Sequence, residues 1–577
     1  MEKRIKVVAA IDFGTHGTGY AWSVISAAND DMRGRQVFWN NQWPGQPVAY
    51  PKNLTALLLD EEGEVVAWGF EAKRKWTGIR DKIERDKTLF ARAFKMELAG
   101  EESNPAVDVK SRNINAHVLI EKYLKLIYEE ALKNITASGY VEEEIRWCLT
   151  VPAIWSDYQK QVMRELAVAA GLPGDRKRLL LAIEPEVAAY YVRVSGVRTI
   201  GMSGKRASLM TPRSRFIVVD CGGGTVDITA YKSDAQNNLQ EIGNDWGGKY
   251  GSEYVNMDFV MRILQNRFGS YDALQRIQEE CPTELLRIVD AWESEKIHLT
   301  SDREEDIFLP LPAAIDRQLT DDVRDRIATI QDGVSDTIVV TAEEARSAFD
   351  SVIPNILKLV DKALHEMRVQ RRNTQGEEIV LLVGGFGASA YLQQRLQAHI
   401  KGRAQLAVPG DPKVAVLLGA VHYAYSPQTT ARKTKLTYGC EVNGVFREGI
   451  DPQSRRITLP NGAARCAGRF DVLVKARELV PIDREVVTSY TPTYPHQTAL
   501  SIEVYSSPNQ NPVYVEDSGN KRLGSLYIDL KQVMHLAQDK RSVKVYMRFG
   551  ETEIHVRAQI AHTGESVEAD LQFDPTY

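Results

Sequence analysis

"VVDCGGGTVDITAY" (residues 218–231) sets three consecutive glycines between Asp220 and Asp227, inside an apolar run that otherwise reads as a buried strand. Glycine weakens a strand because it packs nothing and loses much conformational freedom. Three together are expected where side chains must be absent, at a hairpin tip that something else approaches closely. A second stretch has the same form. "VVAAIDFGTHGTGYAWSVI" (7–25) also runs from an apolar strand into Asp-x-Gly, then through small residues into a second alternating strand. Each copy predicts strand, tight glycine turn, strand. Glycine amides at such tips meet anions, and aspartates beside them can hold a divalent cation that neutralises phosphate. Two hairpins facing one another would clamp a polyphosphate from both sides.

A third glycine cluster lies in "EEIVLLVGGFGASAYLQQRL" (377–396), where an apolar strand ends in Gly-Gly and a helix is expected from Ser389. It is not a dinucleotide fingerprint: Ala390 stands where the third glycine belongs, and no acidic residue follows at the ribose-binding distance. A strand-to-helix turn against which a nucleoside packs is the better reading.

Bulk composition restricts the partners. The chain has 577 residues, too many for one core, and several domains are expected. With 72 basic and 77 acidic side chains, net −5, there is no overall positive field for a nucleic-acid backbone or an anionic membrane. The opening "MEKRIKVVAAIDFG" has too short an apolar run before Asp12 for a signal core or a membrane span, so a cytoplasmic protein without membrane insertion is expected. Five scattered cysteines without a C-x-x-C pair argue against a disulfide framework or a zinc site and for free thiols.

The three glycine pieces, in this order, resemble the actin, sugar-kinase and heat-shock-seventy ATPase superfamily. "LTVPAIWSDYQKQVMRELAVAAGL" (149–172) and "AIEPEVAAYYV" (182–192) resemble the connecting segment of heat-shock-seventy chaperones. The intervening helix is locally specified, with Ser156 as N-cap, Gln159 three residues on and Gly171 as the stop. "DFGTHGTGYAWS", "DCGGGTVD" and "LVGGFGAS" are similar to the divergent member-twelve subgroup. The resemblance implies an α/β actin-like, two-lobed ATPase domain with ribonuclease-H-like subdomains over 1–425, a linker at 426–436 and an antiparallel β-sandwich over 437–577.

The same resemblance implies roles. Asp12, Gly14, Thr15, His16 and Gly17 match the first phosphate loop; Asp220, Gly222, Gly223, Gly224, Thr225 and Asp227 match the second. Asp12 and Asp227 would hold Mg2+ with support from Glu184, Asp220 would orient or deprotonate water, and Thr225 would contact the γ-phosphate of ATP. Lys73, in "WGFEAKRKW" (68–76), is expected as the catalytic lysine. Phosphoryl transfer of this kind is mainly positioning and electrostatics. Gly247, Gly248, Gly384, Gly385, Phe386 and Asp411, the last in "GDPKVAVLLGAVHYA" (410–424), complete the expected ATP/ADP contacts. Glu293 and Lys296, in "AWESEKIHLT" (291–300), match ribose-binding positions, while Ile297 stands where typical members carry an adenine-stacking arginine. Adenine is therefore expected against apolar surface.

Beyond 436, period-two runs such as Leu500, Ile502, Val504 and Val543, Val545, Met547, Phe549 predict antiparallel strands with one buried face. They resemble the peptide-binding sandwich of the same chaperones, without a helical lid. The preceding "SPQTTARKTKL" (426–436), polar and basic, is expected to be exposed, as is the basic insertion "RTIGMSGKRASLMTPR" (198–213). The implied function is an ATP-hydrolysing, slow ATPase that binds exposed polypeptide segments or a dedicated partner, with a nucleotide-exchange protein or co-chaperone as a further partner. The alternatives on the same fold are a sugar or small-metabolite kinase and an actin-like filament subunit; neither needs the C-terminal β-domain.

Overall fold

A computed structural model describes residues 4–26, 31–32, 34–99, 114–195, 198–200, 214–236, 238–369, 378–427, 429–459, 461–482, 484–549, 552–564 and 566–568. Most of the basic insertion, 201–213, lies outside the described residues. The chain forms two compact units. The first comprises 1–154, 164–229 and 246–427; the second comprises 155–163, 230–245 and 428–577.

In the first unit the expected hairpin is present: Val7–Phe13 pairs antiparallel with Gly17–Val24. Val7–Phe13 also pairs in parallel with Ile145–Val151, which pairs in parallel with Leu179–Ile183. The second glycine stretch repeats the plan. Arg215–Cys221 lies beside Val226–Ser233 on one edge and pairs in parallel with Glu378–Val383 on the other, followed by Ala404–Val408. The loose sequence repeat is thus a repeated sheet. Apart from Asp12 and Asp220 near their ends, the central strands are mostly apolar because helices cover both faces of such sheets; Val7–Phe13 is buried at all seven positions.

A helix follows each fourth strand, and the two pack against each other. They are Glu184–Ser195 and Ala415–Tyr425, and the contact is close because Gly419 has no side chain: a Cβ there would overlap the carbonyl oxygen of Val187. The connecting helix Asp157–Ala169 carries its expected capping box, with Ser156 N–H donating to Gln159 Oε1 at 2.9 Å and Gln159 N–H to Ser156 Oγ at 3.3 Å. Ser389 likewise caps Ala390–Ile400.

The second unit holds two antiparallel sheets, one of five strands and one of four. Alternate residues of both enter one core: Leu500, Ile502 and Val504 from the first sheet, Val543, Val545, Met547, Val556, Ala558 and Ile560 from the second. The period-two runs therefore bury the faces they predict, each large apolar side chain contributing about 1.5–3 kcal/mol. In the further alternating run Phe470, Val472 and Val474, Val472 stays half-buried, where the ladder between Thr437–Val445 and Ala464–Val474 slips register.

Residues 429–434 do not form the exposed linker expected for 426–436. Thr429–Lys433 is a strand that pairs in parallel with Leu239–Glu241 and antiparallel with Leu479–Pro481. Thr429, Ala431 and Arg432 are buried, Arg432 donates to Thr552 Oγ1 at 2.8 Å, and Lys435 pairs with Asp245 at 2.9 Å. A sheet ladder satisfies backbone whatever the side chains, and long basic side chains bury their stems while their heads find partners. All five cysteines are free and buried. Among the described residues, no helix is long and apolar enough to cross a membrane.

Candidate functional site

The two glycine tips meet inside the first unit. A Cβ built on Gly223 would stand 3.1 Å from His16 Cβ, and one on Gly224 would stand 2.8 Å from Thr15 Oγ1. Each tip is pinned from behind. Thr55 Oγ1 donates to the Gly14 carbonyl at 2.7 Å and Thr55 N–H to that of His16 at 2.9 Å. The second tip rests on the helix Ser252–Asp258: the carbonyls of Gly222, Gly223 and Gly224 accept from the amides of Ser252, Glu253 and Gly251 at 3.2, 2.9 and 3.1 Å. With its carbonyls held this way, the turn keeps the Gly223 and Gly224 amides available for an anion. The cleft has a volume of about 140 Å³ and is lined by both tips together with Gly384 and Gly385. Gly384 sits at φ 86°, and a side chain there would collide with Asp220 Oδ1.

Four carboxylates converge beneath the tips. Asp12 and Asp220 come from the two central strands, Asp227 from the strand after the second tip, and Glu184 from the first turn of its helix. Asp227 Oδ1 accepts from Ile154 N–H at 2.9 Å, and Asp12 Oδ1 from Thr150 Oγ1 at 3.3 Å. Crowding like charges in a dry site disfavours ionisation. Burial, then the charges of Glu184, Asp227 and Asp12, raise Asp220 well above the usual aspartate range. Burial pushes Glu184 up to about 7, against the opposing pull of Lys95. Two lysines answer this charge. Lys95 Nζ lies 2.9 Å from Glu184 Oε1, and Lys52 Nζ lies 2.6 Å from Asp12 Oδ2.

His16 of the first tip places its Nδ1 2.9 Å from Glu253 Oε1, which lies away from the cleft lining, and Asn256 Nδ2 donates to Glu293 Oε1 at 2.8 Å. Lys296 Nζ reaches Asn256 Oδ1 at 2.5 Å and Glu293 Oε1 at 3.2 Å. Burial opposes the His16 charge, but Glu293 and Glu253 outweigh it and raise His16 above the usual histidine value. Burial likewise opposes Glu293's charge, yet Lys296 and His16 leave Glu293 below the usual carboxylate range. Ile297, just past the end of the helix Pro282–Lys296, is 52 % exposed, an apolar surface at the position the sequence singled out.

Several expected residues stand elsewhere. Lys73 is not in the phosphate cleft: it lies on the helix Gly69–Gly78, and its amine is held 2.6 Å from Asp290 Oδ1. Lys95 occupies the cleft instead, on the short turn Phe94–Ala99. The Phe386 ring turns inward onto Phe349 and is 5 % exposed, so its side chain does not line the cleft. Gly247 and Gly248 pair with Asp227 and Val226 and stand behind the cleft; a Gly247 side chain would collide with Ile154. Asp411 caps the turn Pro412–Val414, and its neighbour Lys413 lines the cleft. Lys52, Lys95, Glu253 and Asn256 were missed. The lysines sit in "YPKN" and "AFKME", which carry no local pattern, and only the fold brings them to the acids.

No protein-family profile matches the chain. Curated proteins do. Human heat shock 70 kDa protein 12A is 28% identical over 627 residues, covering 98% of this chain and 91% of its own length. The human 12B protein is also 28% identical, over 642 residues with the same shares. Over nearly its whole length the chain is similar to divergent heat-shock-seventy proteins of the member-twelve type. The chaperone protein DnaK of Thermotoga maritima is similar at 23% over 476 residues, 79% of this chain and 67% of its own. The similarity to the member-twelve proteins thus runs through both units, whereas that to DnaK leaves about a fifth of the chain unmatched.

Proposed function

We propose that the chain is an ATP-binding and slowly ATP-hydrolysing protein of heat-shock-seventy type, whose second unit holds an exposed polypeptide segment or a dedicated protein partner. The observation that carries the reading is the face-to-face meeting of two glycine tips in a cleft lined by Asp12, Glu184 and Asp220, with Asp227 near enough to act on Asp220. Tip amides of Gly14–Gly17 and Gly222–Gly224 bind the phosphates, and Thr225 contacts the terminal one. Glu293 and Lys296 face the ribose, with Ile297 as the apolar rest for the base. Asp220 orients the attacking water and accepts its proton. Lys95 takes the part first assigned to Lys73, steadying charge that develops on the transferred group.

The donor set fits a hard divalent cation, which binds through carboxylate oxygens. Asp12 Oδ2 is buried, and its near partner is the Lys52 ammonium at 2.6 Å. Asp12 and Asp227, with Glu184 in support, are the residues that would hold Mg2+. When bound, Mg2+ would neutralise phosphate charge. The two-sheet second unit supports the polypeptide-binding reading, as does the similarity to proteins named as chaperones. A nucleotide-exchange protein or co-chaperone would be its regulatory partner.

The test is Asp220→Asn under single-turnover conditions. Hydrolysis is expected to fall by about 10²-fold or more while ATP affinity is retained. Loss of binding in step with turnover would overturn the role given to Asp220.

A further inference from the structure

Lys52 is the unexpected charge in the cleft. It follows Pro51 and precedes the short strand Asn53–Leu54, and its side chain crosses the hairpin strand Gly17–Val24 to reach Asp12. Gly19 opens that path, and Gly17 lies beside it. A Cβ on Gly17 would stand 3.4 Å from Lys52 Cβ, and one on Gly19 would stand 3.2 Å from Lys52 Cγ and 2.6 Å from the Pro51 carbonyl oxygen. The glycines of "GTHGTGY" thus serve the lysine as well as the tip. The lysine side chain is 16% exposed and ends 2.6 Å from Asp12 Oδ2. The ammonium charge lies in direct contact with that oxygen. Tyr50 and Lys413 line the same wall.

From this arrangement we propose that Lys52 is a built-in counter-cation at Asp12, which competes with a divalent ion there and lets the clamp hold nucleotide without metal. The proposal rests on the nucleotide-binding reading above. An ammonium and a dication sharing one carboxylate repel each other strongly at contact distance in a buried site, so both cannot sit on Asp12 at full strength. Burying an unpaired carboxylate is also costly, and Lys52 removes that cost in the metal-free protein. Nucleotide phosphate entering the clamp therefore meets positive charge already in place.

Titration of the intact protein with ADP, by calorimetry in Mg2+ and again in EDTA, tests this. The native protein is expected to change affinity by less than about 3-fold between the two conditions, and Lys52→Met to bind at least about 10-fold more weakly in EDTA than in Mg2+. Lys52→Arg, which keeps the charge, should restore metal independence. A native protein that itself loses 10-fold or more in EDTA overturns the inference without recourse to any variant. So does a Lys52→Met protein, folded by circular dichroism, weakened equally in both conditions, since Lys52 would then be a plain phosphate contact. If ADP binds in neither condition, the nucleotide-binding reading falls and this inference with it, a result distinguishable from binding that simply needs metal.

Discussion

Asp220 carries the chemistry of this account, and its environment sets when it can act. A carboxyl must be ionised to take a proton from water, whereas burial and the neighbouring charges of Glu184, Asp227 and Asp12 hold its proton on. Hydrolysis is therefore expected to rise with pH as Asp220 loses its proton, at a pH well above the usual aspartate range. Glu184→Gln removes the largest of the neighbouring charges on Asp220, so the rising limb of the pH–rate profile should move to lower pH. A limb that stays in place would mean that a different group limits the rate. The acids of this site were legible because each stands in a glycine or Glu-Pro motif whose spacing is local. Lys52 and Lys95 were not, because a lone lysine acquires meaning only from a partner far along the chain.

At the scale of elements, the packing of Glu184–Ser195 against Ala415–Tyr425 fixes where the first acidic turn points. Gly419 is the closest approach, with the Val187 carbonyl and Tyr191 Cβ where its side chain would be. In an isolated helix, Gly→Ala would stabilise by about 1 kcal/mol. Here overlap with backbone is expected to outweigh that gain, and Gly419→Ala should destabilise the protein by about 1–3 kcal/mol. Thermal melting of the variant checks the sign; a raised midpoint would mean that the helices stand further apart. Hairpins, the Ser156–Gln159 capping box and the period-two strands were legible in the sequence because their signals are short-range. Thr429–Lys433 was not: Thr-Thr-Ala-Arg-Lys has the composition of a loop, and its burial comes from ladder partners in residues 239–241 and 479–481.

For the whole molecule, that strand changes where the chain should be vulnerable. Arg432, Lys433 and Lys435 would be early trypsin sites in an exposed linker. Paired as they are, they should survive limited digestion until the second unit itself opens. Early cleavage there, mapped by mass spectrometry, would contradict the strand. The repeat legible in residues 7–25 and 218–231 foretold two hairpins; that they face each other over one cleft followed only from the parallel strands and helices each brings with it. The central claim is that this cleft grips phosphate, and it is tested most directly by calorimetric titration of the full chain with ADP and with adenosine. If the glycine tips supply most of the affinity, ADP binds at least about 100-fold more tightly than adenosine, roughly 2.7 kcal/mol. Equal affinities for the two, or no binding of ADP at all, would contradict the account.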